Sequence, residues 1–226
     1  MNHISELAQL GTSTWLDDLS RERLVSGNLE EIISTKSIVG VTTNPAIFAA
    51  AMTNGTAYDA ELSTLKETKA SADEAVYALA IEDVKNACDL FADIYSSTNG
   101  ADGRVSIEVD PRISDDANAT LEQARELWSK VDRPNVMIKI PATTGSLPAI
   151  EDALAEGISV NVTLIFSVDR YRDVIEAFRT GLKRAAEAGK DVSTIHSVAS
   201  FFVSRLDTEV DKRLEAIGSE IALALR

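Results

Sequence analysis

A lysine stands in the middle of a short apolar run, Val136-Met137-Ile138-Lys139-Ile140-Pro141-Ala142-Thr143. Such a run reads as a strand that is apolar on both faces, the pattern of a parallel sheet covered by helices. An unpaired ammonium taken out of water is costly, so a lysine in that setting tends to lose its proton. The neutral amine is a nucleophile toward ketones and aldehydes, and the imine it forms is an electron sink for making or breaking the neighbouring carbon–carbon bond. A strand lysine can equally lay its methylene stem along apolar surface and carry its charge to water. Taken alone, the run admits both readings.

Other apolar runs of strand length also end in polar residues. Residues 13–16 run into Asp17 and Asp18, and 38–41 into Thr42-Thr43-Asn44-Pro45. The run 105–109 carries Glu108 ahead of Asp110 and Pro111, and 158–166 carries Asn161 and Thr163. The run 195–198 leads to Ser197, Ser200 and Arg205. Singly these signals are weak. Asn44 before Pro45 is also a helix N-cap followed by a first-turn proline. Glu108 could be a surface strand end, Asn161 a turn residue, and Arg205 a partner of Asp207 or Glu209. Six strand ends delivering polar groups around one lysine make a site the better reading, because a (β/α)8 barrel builds its active site from the carboxyl ends of several strands.

The elements that must position these residues alternate along the chain. Between the strand-like runs lie amphipathic stretches. Residues 73–95 place Ala75, Leu79, Val84, Ala87, Leu90, Phe91 and Ile94 at three-to-four spacing, and 117–131 and 169–187 are similar. Ser71 with Glu74 forms a capping-box pattern. Strands alternating with helices predict a parallel sheet in an α/β fold, with residues 1–226 as one domain. Apolar residues make up 45% and charged residues 26%, ordinary for a folded domain with a sizeable core.

The net charge of −14 argues against nucleic acid and anionic membranes as partners, so an anionic substrate needs a local basic site. Cys88 is the sole cysteine, which leaves no disulfide framework and no cysteine metal site. No His/Cys/carboxylate cluster has metal spacing; His3 lies in the N-terminal segment, and His196 in the sixth run reads as a hydrogen-bonded structural histidine. The first ten residues lack a signal pattern, and no segment reaches the about 18 apolar residues of a membrane span. A cytoplasmic protein without metal or cofactor is expected.

The ordered motifs Thr14-Trp15-Leu16-Asp17-Asp18, Gly40-Val41-Thr42-Thr43-Asn44-Pro45, Ile107-Glu108-Val109-Asp110, Ile138-Lys139-Ile140-Pro141-Ala142-Thr143, Asn161-Val162-Thr163-Leu164 and the segment 200–205 resemble the signatures of transaldolases. The match spans almost the whole chain and is most similar to the longer, actinobacterial type. The resemblance implies a TIM barrel of the class I aldolase type and a place in the pentose phosphate pathway. The implied reaction transfers a dihydroxyacetone unit from sedoheptulose 7-phosphate to glyceraldehyde 3-phosphate, giving erythrose 4-phosphate and fructose 6-phosphate. Lys139 would form the Schiff base, and Asp17 would move the proton of the fourth-carbon hydroxyl from a partly dry site. Strand alternation allows only one of Asp17 and Asp18 into that site, and the family pattern favours Asp17. Glu108 and Thr163 would hold the water of imine formation. Asn44, Asn161 and Ser200 would bind the dihydroxyacetone hydroxyls, Phe202 would wall the pocket, and Arg205 would take the phosphate.

In one respect the chain departs from the pattern. Six strands are legible where a barrel needs eight, and the segment from 202 to 226 reads as one helix without a stop signal at its end. The expectation is an N-terminal portion of a longer enzyme, lacking strands seven and eight and the phosphate-binding loop after the seventh. Two alternatives stand beside this reading: a fructose-6-phosphate aldolase, and an inactive scaffold fragment.

Overall fold

The computed structural model describes residues 3–53 and 56–226. Six strands form one sheet in chain order, every neighbouring pair parallel: β1 (Thr14–Leu16), β2 (Ile38–Val41), β3 (Arg104–Glu108), β4 (Val136–Pro141), β5 (Val160–Ile165) and β6 (Ser197–Phe201). Helix α1 (His3–Gln9) precedes β1, and α2 (Arg21–Val25) and α3 (Asn28–Lys36) join β1 to β2. Four helices join β2 to β3: α4 (Pro45–Thr53), α5 (Asp59–Glu67), α6 (Ala72–Leu90) and α7 (Ala92–Ser97). The later strands are each followed by a long crossover helix, α8 (Ala117–Val131), α9 (Leu147–Ala155) and α10 (Val168–Glu187), and β6 leads into α11 (Val203–Ile217) and α12 (Glu220–Leu223). This is the strand–helix alternation of an α/β barrel of the expected class, with six parallel strands among the described residues. Among the described residues β1 and β6 each pair on one side only, so the sheet is open between them.

Alternation along the strands divides the molecule into two environments. Val105, Ile107 and Val109, then Val136, Ile138 and Ile140, then Val160 and Val162 join one apolar core with α6, α8, α9 and α10. Each fully buried Val or Ile there contributes about 1.5–3 kcal/mol. The opposite face is mostly polar: Ser106 and Glu108 on β3, Lys139 on β4, Asn161 and Thr163 on β5 are all buried there. The sheet curls around this face. Lys139 reaches the carbonyl oxygen of Thr43 just past β2, and Ser200 on β6 connects through Asn161 to Ser106 on β3. At β1 the indole of Trp15 lies against Gly40, where a Cβ would sit 2.7 Å from the ring, so a side chain at 40 would displace it.

Three element boundaries differ from the sequence reading. The helix expected over 73–95 is interrupted at buried Phe91, which caps α6 and opens α7. The last strand begins at Ser197 rather than Ile195, because Asp191 caps a short 3-10 turn over Val192–Thr194 and pairing with β5 starts at Val160. Ser200 thus lies within β6 rather than beyond it, hidden from an apolar-run criterion. The final segment is two helices, since Gly218 ends α11 with φ +65° and Ser219 caps α12. The capping box at Ser71 and Glu74 forms as expected.

Candidate active site

Lys139 lies in the middle of β4, with Glu108 at its register partner on β3 and Asn161 at its partner on β5. Its Nζ donates a hydrogen bond to the Thr43 carbonyl at 3.0 Å and stands 3.6 Å from Glu108 Oε2. Both side chains are under 10% exposed. The amine is therefore buried but not unpartnered, which replaces the premise of an isolated ammonium drawn from the apolar run. Burial pushes the Glu108 carboxyl above its ordinary range; the neighbouring amine opposes this shift, and the Asp17 carboxylate adds to it. A carboxyl with a raised pKa next to an amine is suited to give and to take a proton.

Beneath the lysine a polar chain crosses the sheet. Ser200 Oγ donates to Asn161 Oδ1 at 2.9 Å, and Asn161 Nδ2 donates to Ser106 Oγ at 3.0 Å. Thr43 joins the same strand end by donating from Oγ1 to the Ser106 carbonyl at 2.6 Å. Thr163 pairs in register with Pro141, and its buried Oγ1 has no hydrogen-bond partner. An orphaned buried hydroxyl beside the amine and the carboxyl is a ready contact for a water or a substrate hydroxyl.

Above these residues opens a cavity of about 1160 Å³. It is lined by Lys139, Glu108 and Thr163 at its base, by Asp17, Asp18, Arg23 and Asn44 on one side, and by Leu164, Phe202 and Arg205 on the other. The structure brings seven of the nine sequence-predicted residues to this cavity. Asn161 and Ser200 are not on its wall, but they join Ser106 in the layer below. Asn44 serves both readings at once, since its Oδ1 accepts from Ile47 N at 3.0 Å as a helix N-cap while the residue lines the cavity.

Two expectations about the carboxylates change. Asp17 is exposed at the mouth, not partly dry, because it lies beyond the end of β1 at the open edge of the sheet. Asp17 and Asp18 also both line the cavity: past Leu16 the chain has left the strand, so alternation no longer separates them. Asp18 is set apart by Arg23, whose Nε donates to it at 2.9 Å. Arg205 does not pair with Asp207 or Glu209. Its guanidinium lies over the Phe202 ring at 4.6 Å from the centroid, and Glu209 is engaged by Arg213.

The wall carrying Asp18 and Arg23 is anchored by a buried charge cluster. Asp83 on α6 is fully buried and accepts from Arg21 Nε and, at 2.7 Å, from the hydroxyl of Tyr58, a cavity residue. Arg21 also donates to Glu61 at 2.8 Å. Burial pushes the Asp83 carboxyl upward against the pull of these donors. Sequence reasoning passed over this cluster because its members lie in three separate segments, α2, the start of α5 and α6. It also missed Ser106, whose spacing of two from Glu108 on one strand was a usable signal, and the carbonyl of Thr43, for which no side-chain type gives a sign.

Among the described residues no group of three or more His, Cys, Asp or Glu side chains could hold a metal ion, and no helix is long and apolar enough to cross a membrane. His3 pairs with Glu6, while His196 is half-buried just before β6 and its pKa is lowered by burial and by the charge of Arg104.

The model of the Transaldolase/Fructose-6-phosphate aldolase family matches residues 14–224. A transaldolase of Mycolicibacterium smegmatis is 60% identical over 224 residues, covering 99% of this chain and 60% of the relative. A transaldolase of Mycobacterium ulcerans is 59% identical over the same length and coverage, and one of Kocuria rhizophila is 59% identical over 221 residues, covering 98% of this chain and 60% of the relative. The chain spans about 60% of the length of these curated relatives. With a family model aligned from β1 to the last helix, the chain belongs to the transaldolase/fructose-6-phosphate aldolase family.

Proposed function

We propose that this chain carries transaldolase chemistry, moving a dihydroxyacetone unit from sedoheptulose 7-phosphate to glyceraldehyde 3-phosphate within the pentose phosphate pathway of the cytoplasm. The observation that carries the reading is the buried Lys139–Glu108 pair, 3.6 Å apart, at the base of a cavity whose rim holds a second carboxylate, Asp17. Identity near 60% to several transaldolases favours this reading over the aldolase branch of the family. We read residues 1–226 as one barrel domain.

The chemistry follows from the residues. Lys139 Nζ attacks the ketose carbonyl carbon to give a carbinolamine. Glu108 protonates the departing hydroxyl, the C–N double bond forms, and water leaves beside Thr163. Asp17 then takes the proton of the fourth-carbon hydroxyl; the bond between the third and fourth carbons breaks, its electron pair flows to the iminium nitrogen, and erythrose 4-phosphate departs. The enamine that remains attacks the aldehyde of glyceraldehyde 3-phosphate while Asp17 returns the proton, and Glu108 activates a water for release of fructose 6-phosphate. Asn44 on the cavity wall offers an uncharged partner for the dihydroxyacetone hydroxyls, backed by Asn161 and Ser200 in the layer below, which leaves the iminium charge unquenched. Arg205, without a carboxylate partner among the described residues, is suited to a bidentate phosphate contact.

Incubation with the two sugar phosphates is expected to release erythrose 4-phosphate, and Lys139→Ala is expected to abolish that release. Equal release by the variant contradicts the reading.

A further inference from the structure

Strict alternation along β5 would send residues 161, 163 and 165 to the cavity side and 162, 164 and 166 to the helix layer. The structure departs from this after Thr163. Val162 and Ile165 both belong to the apolar core under the helices, whereas Thr163 and Leu164 both line the cavity. The pairing with β6 shows the same slip: Val162 is opposite Ala199 and Ile165 is opposite Phe201, so β5 carries one extra residue over this interval. Leu164 absorbs it with φ +59°, the left-handed region that a leucine rarely enters.

We infer that Leu164 is a positioning residue, whose left-handed backbone forms a bulge that lets Thr163 keep facing the cavity while Ile165 enters the apolar core, and resets the register of everything after it. The inference rests on the Lys139 reading above. Two observations besides the dihedral support it. The first is the Thr163 hydroxyl, buried and without a partner at the cavity base, held there while the Thr163 carbonyl accepts from Ala142 N at 2.7 Å on the neighbouring strand. The second lies downstream. The one-residue slip turns Phe166 out of the helix layer to stack on Phe202 at 5.3 Å, and Phe202 in turn carries the Arg205 guanidinium. One strained residue thus sets the relation between the imine end of the cavity and its cationic end. Backbone strain held by surrounding structure next to reacting groups, and a bulge that re-aims side chains, are recurrent devices at such sites.

The test compares Leu164→Gly, Leu164→Asn and Leu164→Val with the parent, reading the rate of borohydride-trapped adduct on Lys139 with saturating fructose 6-phosphate, together with Tm. Glycine and asparagine accept the left-handed backbone, while β-branched valine resists it. The expected result is that the glycine and asparagine variants trap within about threefold of the parent and the valine variant falls by about tenfold or more. A Leu164→Ala control adds a readout independent of turnover: Leu164→Gly is expected to melt above it, the reverse of the order in a regular strand. If bulk against the cavity is what matters, valine traps better than glycine, and that order overturns the inference. So does a melting order with alanine above glycine. Absence of adduct in the parent overturns the lysine reading and the role of Leu164 within it, while adduct in the parent with valine above glycine overturns the inference alone.

Discussion

Glu108 and Lys139 face each other in register across β3 and β4, 3.6 Å apart and both buried at the base of the cavity. The carboxyl has its pKa raised by burial in spite of the amine beside it. Between its ordinary value and that raised value the folded chain holds a proton that the unfolded chain has lost. Folding stability contributed by Glu108 therefore falls as pH rises through this window. The variant Glu108→Gln removes the effect, so its stability relative to the parent is expected to increase with pH across the window, as measured by urea unfolding at a series of pH values. A difference independent of pH counts against the raised pKa.

Imine formation is expected to depend on the same proton. In Glu108→Gln the single-turnover trapping rate should drop by about a hundredfold or more and lose the pH limb that the parent shows above the ordinary glutamate range. Stopped trapping with borohydride at several pH values measures both. An unchanged rate removes Glu108 from the proton transfer.

Ser106 and Asn161 form one buried unit. Ser106→Ala leaves the Asn161 amide without its acceptor and is expected to cost about 1–3 kcal/mol. Combined with Asn161→Ala the costs should fall short of additive, because either substitution breaks the same 3.0 Å contact. Chemical denaturation of the two single variants and the double variant gives the coupling. Additive costs contradict a shared bond.

Asp83 holds the cavity wall through Arg21 and Tyr58. Asp83→Ala removes the buried partner of the Arg21 guanidinium, leaving it only Glu61, takes the acceptor from the Tyr58 hydroxyl, and is expected to cost about 3–5 kcal/mol in stability. Exposed pairs such as Arg172–Asp169 should each be worth under about 1 kcal/mol. Thermal melts of Asp83→Ala and Asp169→Ala set the comparison. A similar small loss in both denies the cluster its anchoring role.

Arg205 stands on a helix that buries none of its side chains, so Arg205→Ala is expected to leave Tm within a few degrees of the parent. Its effect should fall on binding: the fructose 6-phosphate concentration for half-maximal trapping is expected to rise about tenfold or more, with little change for unphosphorylated fructose. An equal change for both sugars would remove the phosphate contact from Arg205.

Much of the architecture was legible because the outward strand faces are apolar and the strand ends are not. Ile138 and Ile140 flank Lys139, and Ile107 and Val109 flank Glu108, so alternation alone separates core from site on β3 and β4. It fails where a residue lies past a strand end, as with Asp17 and Asp18, and where the backbone slips, as at Leu164. No residue type announces that slip, since leucine is a poor candidate for a left-handed conformation. The end of β6 was misplaced because Ser200 faces the polar interior, where it bonds Asn161, and an apolar-run criterion takes such a residue for loop. Gly218 was a usable stop signal within the last helical segment and was passed over.

The central claim is that Lys139 is the nucleophile. Intact-mass spectrometry after incubation with fructose 6-phosphate and borohydride, followed by peptide mapping, tests it most directly. The expected result is a dihydroxyacetone-sized addition confined to the peptide containing Lys139, absent from a folded Lys139→Ala variant. An addition that persists in that variant, or none in the folded parent, contradicts the claim.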